Sequence, residues 1–490
     1  MDQLVLSFAQ RAARGESIPV QERLKVPAQP MPVQDPESRI HTMSEVALGY
    51  SEQEARLESL RCLGCPTAPC VAHCPVAVDI PRFIAQIQRA RYREALQIIT
   101  QTNALPAICG RVCPQEKQCQ CACTVGIALK DPAHAVGIGR LERFVADWER
   151  EHPEAVPEQR APCEKSEKTS GKKVAVIGSG PAGLTVAADC ARAGHAVTVF
   201  EALPYPGGVL QYGIPEFRLP KQIVDAELER LRTYGVVIKT DTLIGRTFTV
   251  AELQRTFDAL FIGTGAGLPQ FLNIAGEDLV GVCSANEYLT RVNLMKAGRG
   301  GDTPLFYSKV VTVIGGGNVA MDAARVARRL RADVHIIYRR TRAEMPARAE
   351  EIAHAEEEGI TIHFLRTPLQ IIGTDHGRVS GLQLQRLRLG AADSSGRRSP
   401  VPESGQTDFF ACDTVIVALG NHPNPLLART VSALNTDSRG AIIVDQDQVT
   451  SIPFVFAGGD SVHGAATVIL AMGEGRKAAA AITQRFAASP

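Results

Sequence analysis

Nine of the thirteen cysteines fall between Cys62 and Cys123, spaced Cys62-x2-Cys65-x4-Cys70-x3-Cys74-Pro75, then Cys109-x3-Cys113-Pro114-x4-Cys119-x3-Cys123, with Cys121 inside the last interval. Thiolates bind iron in fours, and short intervals ending in Cys-Pro have the form of a ferredoxin run, in which the fourth cysteine reaches across to the other cluster. Two [4Fe–4S] clusters are the expectation. The cross-over rule sorts Cys62, Cys65 and Cys70 with Cys123, and Cys74 with Cys113 and Cys119. The second set is then one ligand short, and Cys109 is its nearest candidate in sequence. Tetrahedral zinc prefers two short Cys-x2-4-Cys pairs, and only Cys62 and Cys65 form a Cys-x2-Cys pair. A disulfide framework needs an oxidising compartment, whereas the rest of the chain reads as a cytosolic enzyme.

A chain of 490 residues should hold about three domains with real cores. With 45% hydrophobic residues, 42 glycines and 5% aromatics, it reads as a glycine-punctuated α/β protein. A formal net charge of +1 gives no electrostatic case for nucleic acid or anionic lipid, so neither is expected as a partner. Met1-Asp2-Gln3-Leu4-Val5 has an early acid and no long apolar run. No signal peptide or membrane span is expected, and the location expected is cytoplasmic.

Residues 1–150 should form a helical iron–sulfur domain, with helices over Ser51–Leu60 and Arg82–Thr100 and a helix start at Asp79-Ile80-Pro81. Residues 151–171, rich in Glu, Lys, Pro and Ser, read as a linker. From Lys172 a buried-type strand, a glycine turn, a helix and a second strand occur twice. The first copy is Lys173–Ile177 followed by Gly178-Ser179-Gly180-Pro181-Ala182-Gly183 and, after a helix, Ala196–Glu201. The second is Val310–Ile314 followed by Gly315-Gly316-Gly317-Asn318-Val319-Ala320 and, after a helix, Asp333–Arg340. In this context the triplets are specific for two dinucleotide sites. The first glycine permits the tight turn, the second lets backbone approach the pyrophosphate, and the third position (Gly183, Ala320) allows close packing of helix on strand. The diphosphate then sits on the helix N-terminus. Glu201 ends the second strand of the first copy, where a carboxylate accepts from ribose hydroxyls, so that copy suits FAD. Arg339 and Arg340 stand in the corresponding place of the second and could grip a 2′-phosphate, so that copy suits NADPH. The bland alternative makes Glu201 a solvated strand end and the arginines a surface face continuous with Arg328, Arg329 and Arg331.

Leu260–Ala266, with Gly265, and Val415–Gly420 are buried strands ending in glycine turns on either side of the second unit. They predict its insertion into the first: FAD domain over 172–300, NADPH domain over 301–412, and return to the FAD domain over 413–490. Val455–Asp460 is followed by a small-residue turn and a helix from about Ala466 to Ala480. Asp460, beside Gly459, could bond a ribityl hydroxyl, and the helix start at Ala466 and Thr467 could face the flavin pyrimidine edge.

These motifs together resemble the family of the glutamate synthase small (β) subunit, with its relatives the large subunit of NADH-dependent ferredoxin:NADP oxidoreductase and the N-terminal half of dihydropyrimidine dehydrogenase. The resemblance runs from about residue 45 to the end. Besides the cysteine runs it is carried by Asn103-Ala104-Leu105-Pro106, Cys109-Gly110-Arg111-Val112-Cys113-Pro114, Ile138–Phe144, Gly207-Gly208-Val209-Leu210-x2-Gly213-Ile214-Pro215, Gly317–Asp322 and Tyr338-Arg339-Arg340. It implies a helical double-cluster domain joined to FAD and NADPH domains of the thioredoxin-reductase type. Gly208, Leu210, Gly213 and Ile214 would join the FAD site, and Gly420 the NADPH site. It also implies a side-chain oxygen as the missing ligand, which favours Glu142 over Cys109, with Cys109 a buried thiol and Cys121 no ligand. The role implied is the electron-input subunit of a hetero-oligomer in glutamate biosynthesis, serving a large FMN and iron–sulfur subunit. The alternative is another electron-accepting partner of the ferredoxin:NADP oxidoreductase, pyrimidine reductase or hydrogenase type.

A hydride step from NADPH to flavin needs positioning more than acid–base residues, and no catalytic side chain is assigned. A disulfide reductase would need a redox cysteine pair, but Cys190, Cys283 and Cys412 are isolated in sequence and read as packing thiols. A complete glutamate synthase would need a glutaminase nucleophile, and Met1-Asp2 offers no cysteine. A scaffold that merely kept the nucleotide folds is disfavoured by the intact glycine and cysteine motifs.

Overall fold

Short helices carry the cysteines in the computed structural model, which describes residues 11, 16, 18–153, 170–298, 300–305, 308–392, 396–464 and 466–488. Helix α1 (Glu52–Leu60) opens in a capping box between Ser51 and Glu54. Helix α2 (Ile80–Gln88) opens at Asp79, whose carboxylate accepts from the Arg82 amide, with Pro81 in the first turn. The single helix expected over Arg82–Thr100 is in fact two. Ala90 takes a φ of 54°, which no right-handed helix can continue through, and α3 (Tyr92–Thr100) starts afresh. These helices share one core with α4 (Pro106–Val112) and α5 (Ile138–Glu151). Helix α5 reaches the first residue of the expected linker, of which 154–169 lie outside the described residues.

Strand β1 (Lys173–Ile177), helix α6 (Pro181–Arg192), β2 (Ala196–Phe200), helix α7 (Lys221–Thr233), β3 (Val237–Lys239) and β4 (Ala259–Ile262) follow. Then come β5 (Val282–Ser284), β6 (Val310–Ile314), α8 (Asn318–Arg329), β7 (Asp333–Tyr338), α9 (Ala349–Glu357) and β8 (Thr361–Phe364). Three long strands, β9 (Arg366–Gly373), β10 (Val379–Ala392) and β11 (Arg398–Ala411), precede β12 (Thr414–Val417), β13 (Val455–Ala457) and the final helix α10 (Val468–Ala488). The first sheet is parallel, in the order β13-β4-β1-β2-β3, and the second is parallel, in the order β5-β12-β6-β7-β8.

Every strand of the second sheet lies in sequence between β4 and β13 of the first, so the second unit is inserted in the first. The expected boundaries need correction, however. Thr414–Val417 pairs with β6 and Val282–Ser284 pairs with Thr414–Val417, which puts both in the second sheet rather than in the flanking unit. Continuous apolar strands of this kind look alike in sequence, and only pairing assigns them to a sheet. The antiparallel sheet β9-β10-β11 was not foreseen either. The last helix begins at Val468, two residues later than expected, and runs on to Ala488. No helix among the described residues is long and apolar enough to cross a membrane.

The segment ahead of α1 ties the units together. Arg39, fully buried, donates to Glu358 at 2.9 Å and to Glu357 at 2.7 Å beside α9. Arg329 shares Glu358 at 2.7 Å, and the Val46 amide donates to the Phe217 carbonyl at 2.9 Å. Phe217 lies beneath the guanidinium groups of Arg325 and Arg329, at 4.7 and 3.9 Å from its ring centre.

Candidate functional site

At the carboxyl end of β1 the first glycine turn closes tightly on the sheet. Gly178 has a φ of 99°, and a Cβ there would stand 2.4 Å from the Gly263 carbonyl oxygen; one on Gly183 would stand 2.0 Å from that of Gly178. Gly180 differs, because no atom lies within 4 Å of the place its Cβ would take. It is also the N-cap of α6, with Pro181 and Ala182 in the first turn. Open space beside the unpartnered amides of a helix start is what a diphosphate requires. The Gly208 backbone closes one side, a Cβ on it falling 3.0 Å from Gly180 Cα, with Leu210 and Ile214 buried behind it and Gly213 half-buried.

Glu201 is not a solvated strand end: it is 6% exposed. Its carboxylate accepts from the Ser179 amide at 3.0 Å, from the Ser179 hydroxyl, and from the Leu203 amide at 2.9 Å. The same hydroxyl accepts from the Gly207 amide at 2.8 Å, so Ser179 joins the three motifs of this site. Sequence reasoning missed it, although a hydroxyl between two turn glycines was the available signal. On the other side Gly265 and Gly459 take positive φ. Burial raises the Asp460 carboxyl, which accepts from the Ala466 amide at 3.1 Å, and Glu474 of α10 accepts from the Gly459 amide at 2.5 Å.

The thiols separate into two groups. Cys62, Cys65, Cys70 and Cys123 line one cavity whose other walls include Leu63, Ile80, Ile84 and Val125. Burial lifts Cys62 to about 11 and Cys70 to about 12. Iron would therefore have to displace firmly held protons. Among the described residues no three His, Cys, Asp or Glu side chains are gathered tightly enough for a metal ion. A cluster of four irons is larger than an ion, and thiols standing around a cavity suit it better than the close tetrahedron of zinc.

Cys74, Cys113 and Cys119 form the second group with Glu142. Burial raises all three thiols, each with Glu142 among its charged neighbours, although for Cys113 a hydrogen bond with Cys109 weighs more. Burial also pushes the Glu142 carboxyl up to about 8, against the Asn103 amide, which donates to it at 2.6 Å. Asn103 Oδ1 meanwhile accepts from the Leu105 amide at 2.9 Å and lies 3.6 Å from Cys109 Sγ, so one side chain orients both candidates for the missing ligand. Cys109 is fully buried, whereas Cys121 is exposed and donates to the Gln118 carbonyl at 2.9 Å. Cys190 and Cys412 are buried and Cys283 is half-buried; every cysteine among the described residues is free.

The second group faces α10. Met472 touches Cys109, a Cβ on Gly473 would lie 2.8 Å from the Pro75 carbonyl oxygen, and Gln118 donates to Thr467 at 3.4 Å.

In the second nucleotide unit Gly315 takes a φ of 145°, the Tyr338 ring leaves no room for a Cβ on Gly316, and Gly317, the N-cap of α8, has only Pro346 Cγ at 4.0 Å from the place its Cβ would take. Asn318 accepts from the Arg348 amide at 2.9 Å, Val319 is exposed and Ala320 is fully buried. Gly420 has a φ of 102° with open space about it. The two arginines part company, Arg339 exposed and Arg340 buried and donating to the Arg398 carbonyl at 2.8 Å. The idea of a surface face running back to Arg329 fails, because Arg329 is buried on Glu358.

The pyridine nucleotide-disulphide oxidoreductase family matches residues 172–475, and the dihydropyrimidine dehydrogenase domain II, 4Fe-4S cluster family matches residues 39–154. The β subunit of the NADP(+)-dependent formate dehydrogenase of Moorella thermoacetica is 43% identical over 85% of this chain, which spans 60% of that subunit's length. The glutamate synthase [NADPH] small chain of Escherichia coli is 36% identical over 89% of this chain and 92% of its own. Mycobacterium tuberculosis FprA in complex with NADPH shares the fold over 65% of this chain and 85% of its own, with a TM-score of 0.56 at 19% identity.

Proposed function

The chain belongs to the glutamate synthase small-chain family of pyridine nucleotide-disulphide oxidoreductases, NADPH-dependent FAD and iron–sulfur enzymes, and from that premise we propose that it is the electron-input subunit of a glutamate synthase. When bound, FAD would supply hydride acceptance from NADPH, and the [4Fe–4S] clusters would supply one-electron transfer. The rest is the work of this chain's residues. Gly180 and the start of α6 hold the flavin diphosphate, Glu201 accepts from a ribose hydroxyl, and Gly317 with α8 holds the second diphosphate. Cys62, Cys65, Cys70 and Cys123 hold one cluster, and Cys74, Cys113, Cys119 and Glu142 the other. Leu63, Ile80, Ile84 and Val125 give the first thiol group an apolar wall that limits the access of water.

The observation that supports this reading is the seam between the cysteine domain and α10, where Cys109 lies 3.5 Å from Met472 and Pro75, next to Cys74, packs on Gly473. The electron acceptor we assign is a large FMN-containing subunit in a cytoplasmic hetero-oligomer. A second reading, electron exchange with a formate-oxidising partner, is favoured by the higher identity to the Moorella subunit. Anaerobically purified protein should contain roughly eight iron atoms and one FAD per chain. One zinc with no labile sulfide would remove both readings. Reconstitution with glutamate synthase large subunits and with formate dehydrogenase catalytic subunits separates the two.

A further inference from the structure

The end of β7 alternates sharply. The Tyr338 ring turns inward beneath the glycine turn, and its hydroxyl donates to the Glu344 carbonyl at 2.8 Å. Arg339 faces outward, and Arg340 turns inward again, 6% exposed. The strand ends at Tyr338, and in the bend that follows the two neighbouring arginines are placed differently, Arg339 exposed and Arg340 buried. Arg340 instead reaches the β10–β11 hairpin, its Nε donating to the Arg398 carbonyl at 2.8 Å. Arg398 closes that hairpin from the other side, donating to the carbonyls of Gly390 and Leu389 at 3.2 and 3.1 Å, and pairs in register with Ala392. Arg397, exposed, directly precedes Arg398, the residue whose carbonyl Arg340 holds.

We propose that the hairpin completes the 2′-phosphate site of the NADPH unit, with Arg397 beside Arg339 on the phosphate and Arg340 a positioning residue that pins the hairpin. This rests on the NADPH reading of the second glycine turn. Burial raises the Tyr338 phenol, and the charges of Arg340, Arg397 and Arg339 pull it back. The nearby acid, Glu344, is already engaged by the amide and hydroxyl of Thr341. A dianionic phosphate accepts from more than one guanidinium group at once.

The test is calorimetric titration of the purified holoprotein with 2′,5′-ADP and with 5′-ADP. The wild type should prefer 2′,5′-ADP. Arg397→Ala should weaken 2′,5′-ADP roughly tenfold or more, the loss of one charge-assisted bond, and leave 5′-ADP unchanged. Arg340→Ala should also weaken 2′,5′-ADP selectively, and should add little in the Arg397→Ala background, because it acts through that residue. Unchanged 2′,5′-ADP binding in Arg397→Ala, with the wild-type preference intact, overturns the hairpin's role while the NADPH reading stands. Equal loss of both ligands in Arg340→Ala overturns its positioning role and makes it a fold residue. A wild type that does not distinguish the two ligands overturns the NADPH reading, and this inference with it.

Discussion

The Cys109 sulfur lies 3.5 Å from the thioether sulfur of Met472, so the core of the cysteine domain and the final helix of the flavin unit are in van der Waals contact. The start of α10, over about two turns from Thr467 to Gly473, links this contact to two others. Thr467 accepts from Gln118, and Gly473 lies under the Pro75 carbonyl, the residue after Cys74. Electron transfer is favoured by short separations, and this junction brings the cysteine domain and the flavin unit into direct contact.

Gly473→Val tests the junction. Its Cβ would stand 2.8 Å from a backbone oxygen that cannot yield freely, at a cost of about 1–3 kcal/mol for overpacking. Stopped-flow bleaching of the flavin by NADPH should keep its wild-type rate, while transfer to a one-electron viologen dye should slow. Unaltered dye reduction in a folded variant would show that electrons do not cross here.

The missing ligand of the second cluster can be assigned by two substitutions. Cys109→Ser should leave both reduced-cluster signals in the electron paramagnetic resonance spectrum, whereas Glu142→Ala should remove or shift one and lower the iron content by up to about four atoms. The opposite pattern would give the ligand to Cys109. Asn103 contacts both residues, so Asn103→Ala should disturb the same signal without abolishing it.

Much of this site was legible because its spacing is local. Cysteine intervals sort into the two groups found around the cavity and around Glu142, and each glycine triplet sits where a strand meets a helix. What escaped was long-range. Ser179 joins Glu201 to Gly207, and Arg39 reaches Glu358, through contacts that no periodicity encodes. The break at Ala90 depends on one backbone angle, and the membership of Thr414–Val417 depends on strand pairing. Arg339 and Arg340 are adjacent in sequence, but sequence does not give direction, and Arg340 is buried with its Nε on the Arg398 carbonyl.

Glu358 should govern part of the acid sensitivity. Burial pushes its carboxyl up, but hydrogen bonds from Arg329 and Arg325 outweigh that and hold it at about 2. An unfolded glutamate titrates near 4.3. A carboxyl depressed in the fold stabilises it above the unfolded value, and that stabilisation is lost as pH falls from about 4.5 towards 2. Urea midpoints followed by circular dichroism should therefore drop between pH 6 and pH 3.5, and drop less steeply in Glu358→Gln, which is also weaker at pH 6. Identical slopes would mean that other carboxylates carry the effect.

The last prediction concerns what the chain does without a partner. Among the described residues there are two glycine turns at helix starts and two groups of thiols, which on the proposed function serve NADPH, FAD and the clusters. A hydride donor, a two-electron carrier and one-electron carriers suffice to reduce artificial acceptors. The purified holoprotein should thus oxidise NADPH with ferricyanide or viologen dyes. It should form no glutamate from glutamine and 2-oxoglutarate until a large FMN-containing subunit is added. Glutamate made by the chain alone, with no other subunit detectable by mass spectrometry, would reveal an active site outside those described. Failure to couple with glutamate synthase large subunits, together with coupling to a formate-oxidising, ferredoxin or pyrimidine-reducing partner, would keep the electron route and reassign its destination.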